Sequence, residues 1–241
     1  MNETFWEYFY HQIKSSNYTV PLIVVAQLFA IFILLKNWRK ELSYFLLFTY
    51  SFFGLFLFTG LYYSNYIYKT NVDRYTLTGE FYNIIFSVIE LLTFSIILTK
   101  SIKSNRLIKI NLIINAFFIS ISILILIFFF TIIDDNRIKR YLVDATTYFE
   151  ITYIGILILI YFINLFKSSP SIKLTESPTF WLCAFSSLYA ISLPISILLI
   201  EYYRYENRMI FITIMSLHYL SLSLVYFGIS KAVLCKKPLT N

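Results

Sequence analysis

Ile110 to Ile133 reads INLIINAFFISISILILIFFFTII, twenty-four residues without a charge. A helix rises about 1.5 Å per residue, so a run of this length crosses a hydrocarbon core of about 30 Å. It is continuously apolar instead of alternating, which favours a helix over a barrel strand. In lipid a helix also satisfies its own backbone hydrogen bonds.

Outward from this stretch the same composition recurs. Tyr18 to Leu35, Leu42 to Tyr68, Ser177 to Ile200 and, apart from His218, Met209 to Ser230 are uncharged and long enough to span. Phe81 to Thr99 and Tyr141 to Phe166 qualify once Glu90, Asp144 and Glu150 are tolerated within them. The chain is 59% hydrophobic and 14% charged, which leaves too little polar surface to cover a soluble core. These features predict an all-α, polytopic integral membrane protein with seven transmembrane helices, at about 18–35, 42–64, 80–99, 108–133, 141–166, 177–200 and 209–233. Residues 18–235 form one domain, preceded by an interfacial segment (1–17) and followed by a short cytoplasmic tail (236–241). In that first segment Phe5, Phe9 and Ile13 recur at helical spacing beside Trp6 and Tyr10, suiting the headgroup layer. No basic stretch leads into a short apolar core with a small-residue cleavage site, so a cleaved signal peptide is not expected.

Lys and Arg are unequally shared between the two sets of connections. The 36–41, 100–109 and 167–177 segments and the end from Lys231 hold twelve, with net charge +10. The other set holds eight, with net charge 0. In short loops that excess marks the inside, placing the amino end outside and the carboxyl end in the cytoplasm. Anionic lipid then accounts for the overall +7, and no nucleic-acid partner is called for.

Glu90, Glu150 and His218 stand out against this background. A carboxylate at the bilayer centre costs about 2.5 to 3.5 kcal/mol even on the mildest scale, so such groups face a bundle interior, a partner or a water-filled cavity. Spans three, five and seven run in the same direction, and each of these residues falls about ten residues from the outer end. Gln27 on span one and Tyr189 on span six fall near the same level. Asn83, Ser87 and Glu90 share one helical face, as do Asn111, Asn115 and Ser122 on span four. Span five carries Asp144, Thr147 and Tyr148, with Thr146, Glu150 and Tyr153 about a turn deeper. These stripes are expected to converge on a polar core. Glu90, Glu150, His218, Asn83, Tyr189 and Gln27 are the candidate ligand or proton site. Burial disfavours the charged form of each group and neighbouring opposite charges favour it, and either balance leaves the cluster able to exchange a proton. For the Asn and Ser residues, hydrogen bonding between helices is the simpler role.

Other features point to structure. Asp134-Asp135-Asn136 suits a turn capping the helix that starts near Arg137, and Glu201, Arg204, Glu206 and Arg208 form a solvated charge cluster. Cys183 and Cys235 lie at different depths and offer no metal spacing. Pro194 can free a carbonyl and kink span six. No phosphate loop, nucleophile elbow or zinc-protease motif occurs, so neither an enzyme, a metal nor a cofactor is expected. Span seven has no mid-membrane lysine, which leaves a Schiff-base chromophore unsupported.

The pattern Tyr148-Phe149-Glu150, Ile160-Tyr161-Phe162, Leu165-Phe166-Lys167, then Leu174 leading to Ser177-Pro178-Thr179-Phe180-Trp181, continues with Leu188-Tyr189 and Ile214-Met215-Ser216-Leu217-His218. With Val88-Ile89-Glu90-Leu91-Leu92, it resembles a poorly characterised group of bacterial seven-helix membrane modules. These are found at the amino end of histidine kinases, or as separate proteins associated with two-component systems. Phe185 stands where a small residue is commoner in that group, and Tyr219 where an amide is. The resemblance implies a sensory or signalling subunit without catalytic residues, a multi-pass protein of the lipid bilayer of a bacterial inner membrane, acting through a histidine kinase or another membrane or cytoplasmic signalling partner. The residues alone leave two alternatives open: a small transporter or proton-coupled carrier, with Gln27 and Glu150, and Glu90 and His218, at equivalent positions of two three-helix repeats, and a structural subunit of a membrane complex.

Overall fold

A computed structural model describes residues 19–67, 72–131, 136–167, 174–203 and 207–235, together with Glu7. The regular elements among them are helical: α1 (Thr19–Leu35), α2 (Leu42–Ile67), α3 (Val72–Ile102), α4 (Asn105–Thr131), α5 (Asn136–Lys167), a 3-10 turn (Leu174–Glu176), α6 (Pro178–Tyr203) and α7 (Arg208–Leu234). Six of these, α2 to α7, are long and apolar enough to cross a membrane. Helix α1 is uncharged and mostly apolar over its 17 described residues. The expected interfacial segment apart from Glu7, Asp134-Asp135, Arg204 and Glu206 of the last loop's charge cluster, and the tail 236–241 lie outside the described residues.

Short connections force consecutive helices antiparallel, so α3, α5 and α7 point the same way. Only Lys103 and Ser104 separate α3 from α4. Lys103 adopts φ 58°, the left-handed geometry that ends a helix abruptly, and the Ser104 hydroxyl accepts from Leu107 N at 3.4 Å to start the next. Ser177 does the same for Phe180 N at 3.4 Å, with Pro178 in the first helical turn, where its missing N–H costs nothing. Asn207 Oδ1 accepts from Met209 N and Ile210 N at 3.1 and 3.2 Å to begin α7.

Six helices close a ring in the order α1, α2, α3, α5, α6, α7, with α7 returning to α1, while α4 packs outside against α3. On α1 the buried face is Ile23, Ala26, Gln27, Ala30 and Leu34, at helical spacing. The opposite face, with Val25, Leu28, Phe32 and Leu35, is exposed and suits lipid. Small residues on the inner face let α1 approach α7 closely. Between α6 and α7 the close approach is at Gly228, where an added Cβ would sit 2.8 Å from that of Phe185. The bulk that Phe185 adds to α6 is therefore met by the absence of a side chain on α7. Helix α6 continues through Pro194 to Tyr203.

The polar stripe of α4 does not reach the centre of the ring. Asn115 Nδ2 donates to Ser95 Oγ at 3.1 Å, while the Ser95 hydroxyl has Asn115 Oδ1 at 3.2 Å. Asn111 Nδ2 donates to Thr99 Oγ1 at 3.4 Å and Asn111 Oδ1 accepts from Tyr153 OH at 2.9 Å. The stripe thus docks α4 onto α3 and α5. The expectation of one polar core failed for this helix because a peripheral helix in lipid has no hydrophobic drive to associate, and its hydrogen bonds supply specificity instead. Asn115→Leu should lower stability by about 0.6 to 2 kcal/mol, read as unfolding of the purified protein in a fixed lipid or detergent, with the ring's own cavity left intact.

Candidate functional site

A cavity of about 350 Å³ lies inside the ring, lined by α1, α2, α3, α5, α6 and α7. Gln27, Asn83, Glu90, Glu150, Tyr189 and His218 all border it, so the six residues picked out by depth and helical face meet around one space. Asn83 is exposed, whereas Gln27, Glu90, Glu150 and Tyr189 are buried.

The deep wall is a chain of polar contacts through aromatic rings. Gln27 Nε2 donates to Tyr226 OH at 3.0 Å. The Tyr226 ring stacks on Tyr50 with centroids 5.5 Å apart and planes at 18°, and Tyr50 OH donates to Glu90 Oε1 at 3.3 Å. Glu90 and Glu150 are hydrogen-bonded to each other, and Ser87 bonds to Glu150. A carboxylate carries no proton to donate, so a bond between two carboxyl groups requires one of them to be protonated.

Gly54 makes the chain possible. A Cβ there would lie 2.6 Å from Tyr226 Oη and 3.2 Å from both Gln27 Nε2 and Phe86 Cε2. Tyr50 is the hub, with Phe86 and Phe94 each 5.4 Å from its ring centroid. Both Tyr50 and Tyr226 are fully buried.

His218 occupies the α6–α7 side. Its ring is 5.9 Å from Tyr189 and 5.6 Å from Tyr219, and among the described residues it forms no ion pair with Glu90 or Glu150. Its backbone carbonyl accepts from Ser221 Oγ at 2.7 Å, and that hydroxyl in turn accepts from Ser192 at 2.7 Å. The shared depth of the three ionisable groups thus comes from two arrangements facing one cavity: a carboxyl pair and an aromatic-flanked imidazole. Asp144 also borders the cavity, with Arg140 Nε 4.0 Å from its carboxylate one turn away.

Among the described residues, Gln27 Oε1, Glu150 Oε1 and His218 Nδ1 of the lining residues are buried and have no hydrogen-bond partner in the protein. Buried polar atoms in folded proteins are nearly always bonded, to protein or to ordered water. Among the described residues no three His, Cys, Asp or Glu side chains group as a metal site. The arrangement can pass a proton between the carboxyl groups.

Tyr50, Tyr226 and Gly54 carry the deep wall and are not apparent from composition. Their signal is geometric: Tyr50 precedes Gly54 by one turn, and Tyr226 follows His218 by about two turns on the same face. No family model matches the chain, and comparison with curated proteins and with solved structures found no match.

Proposed function

We propose that the chain is a seven-helix sensory or signalling subunit of the bacterial cytoplasmic membrane, with α1 as its seventh crossing. A small ligand, a proton or a change in lipid state acts at the cavity, and the output passes through a partner such as a histidine kinase. The observation that carries this reading is a cavity with polar atoms left unpartnered within an apolar helical bundle. Polar groups at membrane depth are costly and are kept where they take part in function. With the amino end outside, the end of the ring that bears Asn83 and Asp144 faces outward. The basic segments near Arg39, Lys103 and Lys231 then face the cytoplasm. The resemblance of the α5–α6 region and the His218 segment to kinase-associated modules supports the choice of partner.

The experiment is cross-linking in native membranes combined with deletion of the gene. Recovery of a two-component protein, and a changed output of that same system on deletion, support the reading. Recovery of no signalling protein, with every two-component output unchanged, sinks it.

One observation favours a carrier as the second reading. In the ring α3 lies beside α5 as α7 lies beside α1, with α4 outside, an arrangement that two parallel three-helix repeats joined by a linker helix would produce. Solute flux in proteoliposomes that Glu90→Gln abolishes would favour it.

A further inference from the structure

We infer that the outer half of α6, from Pro194 to Tyr203, is a hinged wall of the cavity, and that Ser192 in the hinge turn latches it to α7. Its motion widens the cavity whatever enters it, so it does not depend on the sensory reading.

Proline sets the hinge. Pro194 lies inside α6 and brings no N–H, so the Ala190 carbonyl one turn earlier loses its helical bond, and the ring crowds that carbonyl. Sharp kinks in helices gather at such breaks. In lipid a break of this kind is tolerated where neighbouring hydroxyls help to satisfy the backbone, and Ser192 stands two residues before the proline.

Packing differs on the two sides of that turn. Inward of it α6 is held on both flanks. Leu182, Cys183 and Ser186 are buried, Phe185 meets α7 at Gly228, and Ala190 meets α5 at Gly155, where an added Cβ would lie 4.0 Å from that of Ala190. Outward of Ser196 no described side chain of α6 is buried. Ile197 is partly buried on the cavity wall, and Leu198 and Tyr202 are 63% and 62% exposed. The outer half thus supplies part of the lining with little buried surface to fix its position.

The latch is a hydroxyl with two acceptors. Ser221 commits its one proton to the His218 carbonyl at 2.7 Å, so it accepts from Ser192, at 2.7 Å. The Ser192 proton has a second acceptor in its own helix, the Tyr189 carbonyl at 3.2 Å. Breaking the bond between the helices therefore strands no donor, because Ser192 turns back onto Tyr189 as serines in helices commonly do. The two hydroxyls join the backbones of Tyr189 and His218, whose rings lie 5.9 Å apart on the cavity. The latch sits where the lining from α6 meets the lining from α7.

The test measures distances between spin labels in the purified full chain in lipid nanodiscs, with Cys183→Ala and Cys235→Ala removing the native thiols. One labelled pair, Ile67→Cys with Tyr202→Cys, joins α2 to α6 outward of the hinge. The other, Phe52→Cys with Leu188→Cys, joins the same helices inward of it, and all four native side chains are exposed. A kink of about 20° moves Tyr202, eight residues beyond Pro194, by about 4 Å. Ser192→Ala and Ser221→Ala should each shift the outer distance by about that much, or split it into two populations, and leave the inner distance unchanged. Pro194→Ala gives the Ala190 carbonyl an N–H partner. In that background both serine substitutions should leave the outer distance where Pro194→Ala alone puts it. Ser221→Ala leaves the sequence of α6 untouched, and it carries the test by itself where Ser192→Ala does not fold. An outer distance that the serine variants do not alter, equal changes in the two pairs, or a full response in the Pro194→Ala background would each overturn the hinge. The distances are read with no ligand or partner present, so the result stands whether or not the chain signals.

Discussion

Glu90→Leu should lower the unfolding free energy by about 2 to 5 kcal/mol, while Glu90→Gln should stay within about 1 kcal/mol of the wild type. The difference follows from what each side chain offers its neighbours. Leucine leaves the Tyr50 hydroxyl without an acceptor and Glu150 without the partner it has in Glu90. Each buried group left unsatisfied costs about 1 to 3 kcal/mol. Glutamine accepts from Tyr50 through its oxygen and donates to Glu150 through its nitrogen, taking over the bond for which the carboxyl pair must hold a proton. Denaturant unfolding of the three proteins in the same detergent measures the order. Equal stability of the leucine and glutamine variants would mean that the carboxyl pair does not hold the deep wall together.

The second large effect belongs to a residue with no side chain. Gly54→Ala places a methyl group 2.6 Å from Tyr226 Oη, and the phenol cannot swing aside because its ring is fully buried and stacked on Tyr50. Something must move, at a cost of about 1 to 3 kcal/mol for an overpacked site, and the bond from Gln27 is lost. Tyr226→Phe removes the oxygen that clashes. In the Gly54→Ala/Tyr226→Phe double variant the two losses should not add, and the discrepancy should exceed about 0.5 kcal/mol, as for residues in contact. Strict additivity in that cycle would show that Gly54 does not seat the Tyr226 hydroxyl.

The bundle was legible because hydrocarbon imposes a simple rule on sequence. Runs such as Ile110 to Ile133 have no alternative to a helix, and each of the later six spans coincides with one long apolar helix. Of the first, 17 helical residues, Thr19–Leu35, are described. The candidate site was legible for a related reason. Glu90, Glu150 and His218 are conspicuous where other charge is absent, and counting turns from the helix ends placed Gln27 and Tyr189 at their level. What remained hidden depended on residues that do not stand out. Tyr50 and Tyr226 are two of 21 tyrosines, and only the ring order shows that they stack and carry the chain from Gln27 to Glu90. Gly54 matters through the space it leaves, which no periodicity records. The stripe of Asn111 and Asn115 looked like the stripe of Asn83 and Glu90, yet one docks a peripheral helix and the other borders the cavity. Helical spacing tells which residues share a face, and only the packing of whole helices tells what that face meets.

The distinction between sensing, carrying and packing rests on what the carboxyl pair in the cavity does in a living cell. Replacing the chromosomal copy by the Glu90→Gln/Glu150→Gln variant removes both titratable groups while leaving amide groups able to bond with each other. The decisive comparison is the output of the two-component system proposed as its partner in wild-type, deleted and double-variant cells, with the variant held at wild-type abundance in the membrane. The expected result is a double variant that shifts the same output as the deletion while its unfolding stays close to wild type. An output that follows the wild type in the double variant, or that no genotype alters, would refute a sensory role for the cavity.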